Sequence, residues 1–157
     1  YLCETLRMHD VYVSADVYGI VISSKVDAAA VGQDYKEMSR YLDYICPMIY
    51  PSHYGFGYAG IDYPDKEPAK IIKLALNSSN KKIAEIPEYQ HRAICRPWLQ
   101  DFTASYLGSK NGVERYLVYD AEVLRIQMEA TYECGLTDWL LWNAGGYYTE
   151  DAWLPEE

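Results

Sequence analysis

Four short, nearly all-apolar runs constrain this chain more than anything else in it. They lie at residues 11–17 (VYVSADV), 44–50 (YICPMIY), 93–99 (AICRPWL) and 139–142 (WLLW). Short runs with little polar alternation predict strands buried on both faces, as in a parallel sheet clad with helices. Parallel neighbours need long crossovers, and the stretches between the runs carry helix signals. Asp34, with Glu37 three residues on, has the form of a capping box and leads into Tyr35, Met38 and Leu42. Pro68 suits the first turn of a helix through Ile71, Ile72, Ala75 and Leu76, and the polar stretch 77–82 is expected as its exit. Asp120 and Gly135 bracket a third helix with Val123, Gln127, Ala130 and Cys134 along one side. Residues 1–9 read as the tail of a further helix.

Two architectures fit strand–helix alternation of this kind: a doubly wound open sheet and a (β/α)₈ barrel. The doubly wound dinucleotide fold calls for a Gly-rich turn after a strand, and no G-x-G-x-x-G occurs. The runs recur every 33 to 50 residues. Eight such units need roughly 340 residues, within the larger barrel range. The chain of 157 residues holds about half of that. No repeat, low-complexity tract or linker divides it, so residues 1–157 read as one partial barrel.

Composition excludes several classes. With 14 Lys+Arg against 23 Asp+Glu, a net charge of -9 and pI near 4.8, the chain lacks the basic face that nucleic acid requires. No apolar run approaches the ~20 residues of a membrane span. Cys3, Cys46, Cys95 and Cys134 are far apart and form no Cys-x-x-Cys, so buried free thiols are expected in preference to a disulfide. His9, His53 and His91 are scattered, and neither a metal nor another cofactor is expected. Tyrosine is the unusual term: 17 Tyr against 2 Phe and 4 Trp. Tyr50, Tyr54, Tyr58, Tyr63, Tyr147 and Tyr148 are expected on rim loops, where a ring and a hydroxyl are both of use.

In a barrel, chemistry gathers at the C-terminal ends of the strands. The first run delivers Asp16. The second brings Tyr50, His53 and Tyr54, the third Arg96, Trp98, Gln100 and Asp101, and the fourth Trp142 and Asn143. Carboxylates can act as acid, base or nucleophile on a glycosidic bond. Flat rings match the C–H face of a pyranose, and amides and guanidinium match its hydroxyls. Asp16 and Asp101 are therefore the candidate catalytic acids. Tyr50, His53, Tyr54, Arg96, Trp98, Gln100, Trp142 and Asn143 are the candidate sugar contacts.

Five strings occur in order: residues 13–19 (VSADVYG), 32–34 (GQD), 47–54 (PMIYPSHY), 96–102 (RPWLQDF) and 139–143 (WLLWN). Together they resemble the bacterial putative glycoside hydrolase domain, a TIM-barrel family of the broad glycosidase clan, over residues 11–148. The resemblance implies that these strands are the fifth to eighth of the barrel. It also implies that Trp142 floors a sugar site, and that the principal catalytic acid comes from the fourth strand, upstream of Tyr1. The expectation is thus the C-terminal half of a barrel that hydrolyses a polysaccharide or cell-wall glycan, in a protein that is exported or attached to the cell envelope. The alternative is a non-catalytic carbohydrate-binding barrel. The isolated half is expected to be inactive and, with two open edges and no N-terminal half, to self-associate.

Overall fold

The order in which the four runs pair decides the architecture. In the computed structural model, which describes residues 1–153, β1 (Ser14–Tyr18) lies parallel to β2 (Tyr44–Met48), in register from Ser14 opposite Tyr44 to Tyr18 opposite Met48. The third run forms two short strands, β3 (Ile94–Cys95) and β4 (Trp98–Gln100), both parallel to β2. The interruption falls at Arg96 and Pro97, where the proline has no N–H to give to the ladder. β7 (Leu140–Trp142) lies parallel to β4 and completes the order β1-β2-β4-β7. Every pairing in this sheet is parallel, and its strands neighbour one another in chain order. A doubly wound sheet reverses its strand order partway across; this one does not. The fold is mixed α/β, with the winding of consecutive units of a (β/α) barrel.

The remaining elements are α1 (Leu2–Arg7), α2 (Lys25–Val31), α3 (Tyr35–Ser39), α4 (Pro68–Ala84), α5 (Ala121–Glu133) and a hairpin of β5 (Ser109–Lys110) and β6 (Val113–Glu114). Asp34 caps α3 by accepting from the Glu37 N–H at 2.9 Å, and Asp120 caps α5 by accepting from the Val123 N–H at 3.1 Å. α2 has no counterpart in the sequence reading. It is an Ala-rich helix with no buried residue, so it carries no apolar stripe.

Three expectations are corrected. Residues 77–82 are not a helix exit: α4 continues to Ala84 because its polar side chains have partners. Buried Ser79 meets the Tyr35 hydroxyl at 2.7 Å, and Asn80 donates to the Cys134 carbonyl at 2.8 Å. The buried side of α5 is Leu124, Gln127, Met128, Ala130 and Thr131, rotated from the expected stripe because Val123 and Cys134 sit at its margin. Tyr50 and Tyr54 are buried rather than on a rim, as are Tyr35 and Tyr119, so part of the tyrosine excess fills the core.

Alternate residues of each strand face opposite ways. Val17, Ile45, Ile49 and Leu99, each 0% exposed, pack with Ile71, Ile72 and Leu76 of α4 and Leu124 of α5. Asp16, Tyr18, Trp98 and Trp142 belong to the other, helix-free face, where Tyr18 and Trp142 remain about half exposed. At the N-terminal ends of the strands, Asp43 accepts from the Val13 N–H at 2.7 Å and from Arg7 Nη2 at 2.8 Å. This ties α1 to the sheet.

Candidate sugar-binding face

Register places the candidate side chains in rows across the helix-free face. One row is Tyr18, Met48, Trp98 and Leu140; the row toward the strand ends contains Gln100 and Trp142. Asp16 lies opposite Cys46 in the row beneath. Trp98 reaches back across β2, and its indole Nε1–H donates to Asp16 Oδ1 at 2.8 Å. The rings of Trp98 and Trp142 stand at 88° with centroids 6.0 Å apart, forming an aromatic corner. Asp16 is exposed, and among the described residues its Oδ2 has no hydrogen-bond donor. Its charge reaches inward: burial first, then Asp16, pushes the Cys46 thiol up to about 11.

Tyr50 follows β2 and packs edge-on against His53 and Phe102, with centroids 5.1 and 5.9 Å away. Burial, then the charge of Asp16, raises its phenol well above the ordinary range. His53 is exposed at the end of the Pro51–His53 turn, and desolvation of its ring lowers its pKa, which favours the neutral imidazole. Tyr54 turns inward, and its buried hydroxyl has no hydrogen-bond partner among the described residues. The close approach of the Met48 backbone explains Gly19: a Cβ there would lie 2.5 Å from the Met48 carbonyl oxygen, with Tyr54 Oη at 2.7 Å. Tyr18, Gly19, Ile20, Met48, His53 and Tyr54 line a cavity of about 390 Å³ at this end of β1 and β2.

Gln100 is fully buried and its side chain is saturated. Its Oε1 accepts from the Ser52 N–H at 3.1 Å and the Ser52 hydroxyl at 2.8 Å. Its Nε2 donates to Asp65 Oδ1 and to the Phe102 carbonyl, both at 3.0 Å. Gln127 of α5 closes the network, exchanging two bonds with the Gln100 backbone. Burial raises the Asp65 carboxyl, against the opposing bonds from Gln100, Leu117 and Tyr119. Gln100 thus holds the turn that presents His53. Nothing in the sequence marked Ser52, Asp65 or Gln127 as its partners, because they lie 48, 35 and 27 residues away from it.

Asp101 is 2% exposed and both of its oxygens are occupied by Thr149, the hydroxyl at 2.7 Å and the N–H at 3.0 Å. Asn143 spends its amide locally, donating to the carbonyls of Asp101 and Tyr147 and accepting from the Gly145 N–H. Arg96 lies toward the N-terminal side, paired with Asp138 at 3.2 Å and stacked 3.9 Å above the Tyr44 ring. The structure therefore brings Asp16, Trp98 and Trp142 to the open face and His53 to the strand ends, with Tyr50 buried against His53 and Phe102. It uses Gln100, Asp101 and Asn143 to fix the loops there. Among the described residues, no group of three or more His, Cys, Asp or Glu is placed to hold a metal ion.

The PgaB (BpsB) glycoside hydrolase domain from Bordetella bronchiseptica is a structural match at 18% identity and a TM-score of 0.49, with 85% of this chain and 31% of that one covered. The chain thus spans less than a third of that protein's length. No curated protein matches. The family described as a putative glycosyl hydrolase domain matches residues 1–148, and the chain belongs to it.

Proposed function

We propose that this chain is the C-terminal half of a barrel that binds and hydrolyses a polysaccharide or cell-wall glycan, in a bacterial protein that acts outside the cell or at its envelope. One observation carries the reading: an open aromatic corner, Trp98 with Trp142, beside an exposed carboxylate at the end of a barrel-type sheet. An indole face supplies apolar contact to a sugar ring, and a neighbouring carboxylate supplies either a hydroxyl acceptor or proton transfer. Asp16 has an oxygen free for that work, whereas both oxygens of Asp101 are bound by Thr149. The acid–base role accordingly falls to Asp16, paired with a carboxylate of the N-terminal half. Retention needs the two carboxyls about 5–5.5 Å apart, and inversion about 6.5–9.5 Å.

The second reading is a barrel that grips a glycan without cleaving it, favoured by the full internal use of Asp101. A glycan panel incubated with the full-length parent separates the two. Hydrolysis that disappears in Asp16→Asn supports the first reading; binding without hydrolysis in the unaltered protein supports the second. The bare sheet face and its two open parallel edges also favour association with the N-terminal half or, failing that, with another copy. Light scattering of the isolated chain is expected to give oligomers, and a monodisperse monomer at high concentration contradicts the half-barrel proposal.

A further inference from the structure

We infer that Asp16 is a positioning residue for the sugar platform: its Oδ1 clamps the Trp98 indole so that the ring stands square to Trp142. The inference rests on the carbohydrate reading above and adds to Asp16 a role separate from proton transfer. Trp98 is on β4 and Asp16 on β1, with β2 between them, so the indole must extend across a whole strand to make the bond. At 2.8 Å the bond joins an N–H to a carboxylate, the stronger charge-assisted kind. No other acceptor is paired with that indole among the described residues. The face around it has no helix to pack the ring, unlike the helix-covered face where Leu99 is wholly enclosed. Release of the N–H would leave Trp98 free to turn about its side-chain torsions, and the perpendicular relation to Trp142 would go with it.

The chemistry separates positioning from acid–base work. An asparagine at position 16 keeps a carbonyl oxygen for the indole but has no carboxyl; an alanine has neither. In the full-length parent carrying ¹⁵N-labelled tryptophan, Asp16→Asn is expected to keep the Trp98 indole resonance in a hydrogen-bonded position. Asp16→Ala is expected to move it to that of a solvated indole. Binding is read with cello-, xylo-, manno- and chito-hexaose. Affinity for whichever of these the parent binds should stay within about twofold in Asp16→Asn and fall about tenfold in Asp16→Ala, a change of about 1.4 kcal/mol. Trp98→Phe, which keeps a ring but no N–H, should match the alanine variant. If Asp16→Ala leaves both resonance and affinity unchanged, the clamp is wrong. Equal losses of affinity in the asparagine and alanine variants also overturn it, since charge and not the acceptor would then matter. Loss of hydrolysis in Asp16→Asn with affinity retained supports the clamp and the acid role together. Retained hydrolysis there removes the acid role and leaves the clamp intact. If the parent binds none of the four hexaoses, the carbohydrate reading loses its support, and the Trp98 indole resonance in the two Asp16 variants alone decides the clamp.

Discussion

At the N-terminal ends of the strands, charge meets charge: Asp43 is gripped by Arg7 and the Val13 N–H, and Arg96 pairs with Asp138. At the C-terminal ends the carboxylates are held by neutral donors. Asp65 takes the amide of Gln100, Asp101 takes Thr149, and Asp16 takes the indole of Trp98. The first arrangement fixes the chain's entry into the sheet. The second fixes loops and rings through donors that carry no charge. That division suits a barrel in which one end provides stability and the other holds the ligand.

Gln100 offers the sharpest way to break the comparison. Gln100→Leu removes four hydrogen bonds and leaves the buried Ser52 N–H and Asp65 Oδ1 without a partner, which is expected to cost about 4 kcal/mol. Urea unfolding measures it, and a loss below about 1 kcal/mol means the network does not hold that end together. Asp101→Ala should cost about 3 kcal/mol by the same assay, since two charge-assisted bonds to Thr149 disappear from a buried site. Asp16→Asn, on the exposed face, should stay within about 0.5 kcal/mol. Equal costs for the two aspartates would erase the distinction drawn between them.

The opposite end responds to acid. Burial raises the Asp43 carboxyl, but the Val13 N–H and Arg7 outweigh it and hold the folded-state pKa below the usual range. A lowered carboxylate pKa contributes stability above the unfolded value of ~4, and that stability is lost as pH falls through the folded value. Asp43→Asn should therefore cost about 1 kcal/mol at pH 7 and flatten the decline of the urea midpoint below pH ~4. An unchanged acid limb would show that the Arg7 staple contributes nothing.

The sheet was readable in the sequence because strand burial on the helix side leaves runs such as YICPMIY, and the caps at Asp34 and Asp120 are local signals three residues long. The break in the third strand at Pro97 was also present in the letters, although the run reads as continuous if only hydrophobicity is followed. α2 escaped because an exposed helix needs no apolar face; Ser24 at its N-cap and Gly32, with φ +68°, at its end were the available clues. The site divides similarly. Strand-end positions identify Asp16, Trp98 and Trp142 as sharing a face, but whether an amide or carboxylate points to solvent or to a distant loop depends on tertiary pairing. Gln100 with Asp65 and Asp101 with Thr149 are pairs of that kind, and no spacing rule predicts them.

The four tryptophans allow a single measurement to test the central claim. Trp98 and Trp142 form the corner, whereas Trp139 donates its indole N–H to Tyr132 at 2.9 Å and Trp153 lies beside α5. Titrating the ¹⁵N-tryptophan-labelled full-length parent with the hexaose it binds should move the Trp98 and Trp142 indole resonances and leave those of Trp139 and Trp153 in place. Movement confined to Trp139 or Trp153 would contradict the assignment of the helix-free face as the sugar site.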